Sequence, residues 1–261
     1  MMRQRGRRYI DRLSILFFCS LLFAACLSLS VFAQAEQPAK AAIQFVHEDY
    51  PPFIYRSDSR VRGQIAEIMQ EIAVRAGIEV QWREVTFRRL VREIRFGKRP
   101  VCAAGYNHIY ADFEEIMATA PISWFRSSVL AVRADDVPMF EGYGDIDAIV
   151  RNQDLRGAFL AEVDYTGIDE TIFGQRHVVF SGTDTELATM VARGRVHYAP
   201  MSREQVEYLQ KQPGTTNLIP LSVAGMRPPR TVSIICSHNL DEHLWQALNK
   251  AILPIGEAPK E

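Results

Sequence analysis

Cysteine is scarce in this chain of 261 residues, which has four, and two of these lie within the first 35 residues. The other two, Cys102 and Cys236, form no CxxC motif and belong to no Cys/His cluster. A structural metal is therefore not expected, and no cofactor is expected either. In an oxidising compartment the two cysteines could form a disulfide; the alternative is a pair of buried thiols packed as small hydrophobes.

The chain also lacks a large net charge. Residues 1–35 carry five Arg and one Asp, so the formal net charge of −1 for the whole chain leaves −5 for the remainder. A mildly acidic domain has no electrostatic footprint for nucleic acid or for anionic lipid. A nucleic-acid partner is therefore not expected.

The N-terminal segment has the pattern of an export signal. Arginines precede an apolar run over residues 13–32, and Ala33-Gln34-Ala35 places small residues where a signal peptidase reads them. We predict a cleaved signal peptide over residues 1–35 and a periplasmic mature protein. The apolar run is also long enough to remain as an N-terminal membrane anchor, which is the alternative.

One β-α-β-α-β pattern occurs twice after this segment, over about residues 43–106 and 158–201. In the second copy, Thr183 and Glu186 have the spacing of a capping box. Between the copies we expect a short helix over residues 112–117. Two small parallel-sheet units predict an α/β protein of two lobes, with a cleft at the carboxyl ends of the strands where a small molecule binds.

Several different motifs follow one another along the two units. The first unit contains Asp49-Tyr50-Pro51-Pro52-Phe53, then Phe87-Arg88-Arg89-Leu90, then Ala104-Gly105, and the second contains Asp154-Leu155-Arg156-Gly157 and Gly194-Arg195-Val196. In this order and spacing they resemble the family 3 periplasmic solute-binding proteins, the polar-amino-acid receptors of ABC importers.

The resemblance implies a two-lobe type II periplasmic binding fold, in which two parallel-core sheets are joined by a two-strand hinge. Ligand binding would close the cleft by rotation about that hinge. We expect lobe 1 to comprise residues 42–131 plus 225–256, and lobe 2 to comprise residues 132–224.

The resemblance also implies a set of ligand-binding residues. Tyr50 and Phe87 match aromatic walls, while Gly105 and Asn107 lie where the family offers polar groups to a ligand carboxylate. The whole predicted set is His47, Tyr50, Phe87, Gly105, Asn107, Tyr165, Thr166 and Gly167.

Two departures from the family concern the charges of an α-amino acid. The arginine that holds the ligand carboxylate is replaced by Asp112, and the acid that holds the amine is replaced by Ser202. Unpaired charges in a dry cleft cost several kcal/mol. This predicts a small polar or anionic solute other than an ordinary α-amino acid.

The expected function is solute binding by hinged closure, as a monomer, for delivery to an ABC permease. A first alternative is a sensory or accessory module for a separate membrane signalling protein. A second alternative is a dehydratase-like cleft enzyme, for which Glu162 and Asp164 are the candidate acid–base residues. We expect a binding protein and no enzyme.

Overall fold

A computed structural model describes residues 41–107, 116–161, 163, 165, 168 and 176–259. The chain from Ala41 onward forms one compact unit. Within the described residues, no helix is both long enough and apolar enough to cross a bilayer. The segment with the export-signal pattern lies outside them.

Twelve strands and six α-helices are described. The strands are β1 (Ala42–His47), β2 (Tyr55–Ser57), β3 (Arg60–Arg62), β4 (Glu79–Glu84), β5 (Cys102–Asn107), β6 (Ile116–Phe125), β7 (Ser128–Arg133), β8 (Ala158–Leu160), β9 (Val178–Phe180), β10 (Tyr198–Ser202), β11 (Leu218–Leu221) and β12 (Arg230–Ser237). The helices are α1 (Gln64–Ala76), α2 (Phe87–Phe96), α3 (Ile146–Arg151), α4 (Asp184–Ala192), α5 (Arg203–Leu209) and α6 (Glu242–Ala251), and a 3-10 helix spans Ala134–Phe140.

The first sheet has the strand order β4-β1-β5-β12-β6. Strands β4, β1 and β5 are parallel, whereas β12 runs antiparallel to β5 and to β6. Its core contains Phe45, Met69 and Leu248, each fully buried. Since β12 comes late in the chain, this sheet joins the beginning and the end of the described sequence.

The second sheet has β7 at its centre, with β10 and β11 antiparallel on either side. The parallel pair β8 and β9 extends it through a bridge between Gly157 and Tyr198. Helix α4 packs on this sheet, and the capping box predicted at its start is confirmed, since Thr183 and Glu186 exchange both hydrogen bonds. The first sheet thus has the parallel core that the sequence predicted, whereas the centre of the second is antiparallel and its described parallel pairing consists of β8 with β9 and the bridge from Gly157 to Tyr198.

The chain crosses between the sheets twice. It leaves the first sheet after Phe125 and enters the second at Ser128, then returns between Leu221 and Arg230. The first crossing comes before residue 131, where the sequence analysis placed the end of the lobe, because all of β7 pairs within the second sheet.

The short helix expected over residues 112–117 is wrong for its last two residues. Ile116 and Met117 begin β6, which pairs along its length with β12. Strand β6 contains Pro121 and lies at the sheet edge, where a residue without an N–H is tolerated. The earlier part of the expected helix lies outside the described residues.

Gly63 fixes the entry of the chain into α1 and supports the Tyr50 loop. It has φ of 112°, and an added Cβ would lie 2.4 Å from the carbonyl oxygen of Phe53. We therefore expect Gly63→Ala to lower the free energy of unfolding by about 2–4 kcal/mol, measured by denaturant titration. Gly144→Ala is the matched control, since nothing lies within 4 Å of a Cβ there. Equal stability of the two variants would contradict the strain.

Candidate functional site

A cavity of about 180 Å³ lies between the two sheets. Both sheets and the returning connection contribute to its wall, in which four aromatic rings come from the first lobe and charged side chains come from both lobes. The lining residues are Glu48, Tyr50, Phe87, Gly105, Tyr106, Phe125, Ser128, Leu160, Val163, Tyr165, Ile168, Gly182, Asp184, Pro200, Met201, Ser202, Gln205, Gly225, Met226, Arg227, Arg230 and Val232.

Four rings from the first lobe form the aromatic wall. Tyr50 lies 6.4 Å from Phe125 between ring centroids, and Phe87 stacks on Tyr106 at 6.3 Å with ring planes 16° apart. Phe87 is the first residue of α2, whose N-cap Thr86 accepts a hydrogen bond from the Arg89 N–H. Flat rings held in this way offer apolar area at little cost in side-chain entropy.

Gly105 brings backbone to the cavity surface. Its φ is +88°, which favours glycine, and the pairing of β12 with β5 shifts register at this point, between Ser233 and Ile234. A bulge of this kind turns peptide groups out of the ladder. The local backbone therefore faces the cavity where Gly105 was predicted to contribute.

Glu48 follows β1 and supplies the first carboxylate of the cavity. The Tyr106 hydroxyl donates a hydrogen bond to Glu48 Oε1 at 3.4 Å. Burial, together with the negative charge of Asp184, raises the pKa of Glu48 to about 8. At neutral pH this raised pKa keeps the Glu48 carboxyl mostly protonated.

Asp184 supplies the second carboxylate, from the opposite lobe. It is the first residue of α4, directly after the N-cap Thr183. Burial raises its pKa to about 6, and the neighbouring Gln205 side chain partly opposes this rise. Although part of its surface is exposed to the cavity, protein surrounds the Asp184 carboxyl closely enough to weaken its hydration.

Two arginines give the cavity positive charge as well. Arg230 begins β12, and its guanidinium lies over the Phe125 ring at 5.4 Å from the centroid. Arg227 lies in the connection that returns the chain to the first sheet. Carboxylates and guanidinium groups in one cavity suit a solute that itself carries both signs of charge.

The structure brings together four of the residues predicted to bind ligand. Tyr50, Phe87, Gly105 and Tyr165 all line the cavity. The Tyr165 hydroxyl also accepts a hydrogen bond from the Leu160 N–H at 2.9 Å, so this residue braces the second lobe too. Their contacts with a ligand stay a prediction.

Of the other four predicted residues, the structure describes His47 and the backbone of Asn107. His47 is buried in the first lobe, with its ring edge-on to Trp82 and its Nδ1 2.9 Å from the Glu48 carbonyl oxygen, and it does not line this cavity. The backbone of Asn107 pairs with Val232 at the end of β5. Thr166 and Gly167 lie outside the described residues, as do the acid–base candidates Glu162 and Asp164.

Sequence reasoning missed the charged residues Glu48, Asp184 and Arg230. Asp184 had a usable signal, because it opens a capped helix just after a parallel strand, at the carboxyl end where ligands bind. Glu48 is adjacent to the predicted His47 but faces the other way. Arg230 comes from the far end of the chain, so local spacing gives no indication of it.

No group of three or more His, Cys, Asp or Glu side chains that could hold a metal ion occurs in the part of the chain that the structure describes. Among the described residues, the charged groups that line the cavity are two carboxylates and two guanidinium groups, from both lobes.

A curated relative and two solved structures show the following likenesses. A probable histidine-binding protein of Campylobacter jejuni is 24% identical over 122 residues, 46% of this chain and 48% of the relative, so the match spans about half of that protein. The L-arginine-bound substrate-binding protein of an amino acid ABC transporter from Streptococcus pneumoniae is 14% identical, with a TM-score of 0.60 over 82% of this chain and 87% of that one. The BvgS periplasmic domain of B. pertussis is 20% identical, with a TM-score of 0.62 over 80% of this chain and 39% of that one.

The two structural likenesses show the periplasmic binding protein fold. The model of one protein family also matches residues 43–257, which include both lobes and the cavity between them. The chain belongs to the bacterial extracellular solute-binding proteins, family 3.

Proposed function

We propose that the cavity binds a small zwitterion, an amino acid or a close analogue, and that the lobes close around it. The ammonium group of the ligand lies against Glu48 and Asp184, and its carboxylate lies against Arg230. The observation that carries this proposal is that carboxylates from opposite lobes line one cavity together with a guanidinium group. Because Glu48 and Asp184 come from different lobes, a cation between them favours the closed form.

This ligand differs from the one that the sequence analysis predicted. There, Asp112 and Ser202 stood where an amino acid receptor has its charge partners, and an ordinary α-amino acid was disfavoured. Charged side chains of both signs line the cavity from other positions, namely Glu48, Asp184 and Arg230, and this supports an amino acid ligand. The names of two relatives, a probable histidine-binding protein and an arginine-bound one, support an amino acid ligand.

The same family membership supports a proposal for the compartment and the partner protein. We propose that the mature chain acts in the periplasm after export and hands its ligand to an ABC permease. A membrane sensor is the second candidate partner, supported at the level of fold by the likeness to the BvgS periplasmic domain. Genes for a permease and an ATPase beside this one would favour transport.

Matched ligands test the two charge contacts separately. Thermal shift and calorimetry would compare L-arginine with agmatine, which lacks the carboxylate, and with argininic acid, which lacks the α-ammonium; L-histidine and histamine form a second set. We expect the complete amino acid of at least one set to raise the melting temperature most, by mass action on the folded state. A deaminated acid that binds as well as its amino acid would overturn the role of Glu48 and Asp184.

Arg230→Met tests the carboxylate contact. It should weaken binding of the amino acid by about 10–100-fold, as expected for a lost hydrogen bond to a charged group, and leave binding of the amine analogue nearly unchanged. Arg193→Met, at an exposed site at the end of α4, is the control. Equal losses for both ligands would mean that Arg230 acts on the fold rather than on the carboxylate.

We also propose that the ligand leaves unchanged. Incubation with stoichiometric protein, followed by mass spectrometry of the ligand, should recover the compound that was added. A product that is lighter than the added ligand by the mass of water or of carbon dioxide would instead establish the dehydratase-like alternative.

A further inference from the structure

A second surface, which unlike the cleft is strongly positive, lies on the outer face of α2. Residues 83–99 carry seven Arg or Lys and two Glu, a net charge of +5 over 17 residues. Since the chain after residue 35 has a net charge of −5, the rest of it has −10. The near-neutral total therefore hides a strong asymmetry, and the argument from net charge against an anionic partner does not apply to this face.

Both acidic residues of this segment are already engaged. Glu84 pairs with Arg56 at 3.3 Å. Glu93 is held by Arg83 and, at 2.7 Å, by Arg89, and these hydrogen bonds lower its pKa. The segment's own carboxylates therefore neutralise only part of its positive charge.

Four cations remain exposed around them: Arg88, Arg92, Lys98 and Arg99. Within the described ranges, no acidic side chain lies within ion-pair distance of any of the four. Lys98 and Arg99 border a surface pocket that also contains Arg83, Arg89 and Glu93. That pocket has a surplus of cations and is suited to a phosphate group.

An apolar side chain lies in the middle of this positive charge. On a helix, Arg88, Arg92 and Phe96 form one row at intervals of four residues, opposite the buried Leu90 and Ile94. The Phe96 side chain is 63% exposed. Binding of a soluble anion would bury none of the apolar surface of this ring, whereas insertion into the acyl region of a membrane would bury it.

We propose that this face of α2, with the adjoining pocket, docks on the phosphate headgroups of an anionic phospholipid membrane, into which Phe96 inserts. The face extends along the helix beyond the pocket, so that it matches a surface of many phosphates rather than a single free one. Docking would bring the mouth of the cleft close to the membrane, because Phe87 at the other end of α2 lines the ligand cavity. The proposal does not depend on the identity of the cleft ligand.

Vesicle sedimentation tests it. The protein would begin at Glu36, since the chain from Ala41 forms a compact unit with cores of its own. We expect binding to vesicles of 30% phosphatidylglycerol in phosphatidylcholine at low salt, and none to pure phosphatidylcholine. Arg88→Gln with Arg92→Gln should weaken this binding about thirtyfold, from the loss of two cations at the surface.

Two further variants separate the contributions. Arg193→Gln with Arg195→Gln removes two exposed arginines from the other lobe and should bind vesicles like the unchanged protein. Phe96→Ser should weaken binding about tenfold without changing its dependence on salt. Unchanged melting temperatures and unchanged cleft-ligand affinity would show that all of these variants are folded.

Three results would overturn the proposal. The first is equal binding to charged and neutral vesicles. The second is equal loss in the two double-arginine variants. The third is a combination of two observations: low concentrations of inorganic phosphate or poly-glutamate displace the protein from vesicles, and Phe96→Ser binds vesicles like the unchanged protein. That combination would assign the face to a soluble anion or an acidic protein.

Discussion

Removal of the Cys102–Cys236 disulfide is expected to lower the free energy of unfolding by about 5 kcal/mol. The two cysteines pair across β5 and β12, and both are fully buried. They are 134 residues apart in sequence, so the loop that they close includes the whole second lobe. A loop of this length restricts the unfolded chain strongly, and loop-closure entropy gives about 5 kcal/mol at 25 °C.

This loss is large against the total stability of a domain, about 5–15 kcal/mol. At about 2–4 °C per kcal/mol for a domain of this size, it corresponds to a fall in melting temperature of about 10–20 °C. The cleft should be less affected, because neither cysteine lines the cavity. Well below the melting temperature, we therefore expect ligand affinity to change by less than about threefold.

Denaturant titration with and without a reductant measures the effect. Since the disulfide is buried, reduction occurs on unfolding, and the midpoint of the unchanged protein should fall when reductant is present. The Cys102→Ala with Cys236→Ala variant should unfold at the lower midpoint under both conditions. A midpoint that is insensitive to complete reduction would show that the crosslink does not stabilise the fold.

The disulfide illustrates what the sequence could and could not establish. Two cysteines in a chain predicted to be exported made a bond possible, but the pairing depended on whether the chain returns to the first lobe. That return is a property of sheet order, because β12 inserts between β5 and β6. Local patterns predicted the capping box of α4, which depends on residues three apart, but did not predict that Ile116 and Met117 begin a strand, since that depends on pairing with the distant β12.

The candidate site divides in the same way. Tyr50, Phe87 and Gly105 were found from motifs that each lie within a few residues. At the end of β1, His47 was chosen and Glu48 was not, although successive side chains of an extended segment point in opposite directions. The structure places His47 in the core and Glu48 at the cavity. Orientation, rather than residue type, decided the difference.

Glu48→Gln is expected to stabilise the ligand-free protein at pH 8 while weakening ligand binding. Burial, the charge of Asp184 and that of Asp49 raise the Glu48 pKa from 4.5 to about 8, with the Tyr106 hydrogen bond opposing this rise. A carboxyl whose folded pKa exceeds its unfolded pKa favours folding only while it is protonated. The stability that it contributes is therefore complete below about pH 4.5 and is lost as the pH rises to about 8.

The gain in stability expected from Glu48→Gln follows from the rise in the Glu48 pKa. It is smaller than the full value because the lobes can open. The full shift is worth about 5 kcal/mol at 1.36 kcal/mol per pKa unit, but opening of the lobes lets water reach the carboxylate. At pH 8 we expect the free energy of unfolding of Glu48→Gln to be about 2 kcal/mol higher than that of the unchanged protein, which corresponds to a melting temperature about 4–8 °C higher. At pH 4.5 we expect no difference in melting temperature. Asp184→Asn should show the same sign over a lower range, between about pH 4 and 6, because burial raises its pKa to about 6. Glu79→Gln, on the exposed side of β4, is the control.

Ligand binding should reverse this order of stabilities. The ammonium group of a zwitterion binds the ionised form of Glu48, so binding expels the proton that the empty cavity holds. Affinity of the unchanged protein should therefore rise between pH 6 and 8, by up to about tenfold per pH unit, whereas that of Glu48→Gln should be lower and nearly flat. Calorimetry across this range, in buffers of different ionisation enthalpy, measures both affinity and proton release. If affinity falls as the pH rises, a protonated Glu48 donates a hydrogen bond to the ligand, and the ligand presents an acceptor to it rather than an ammonium group.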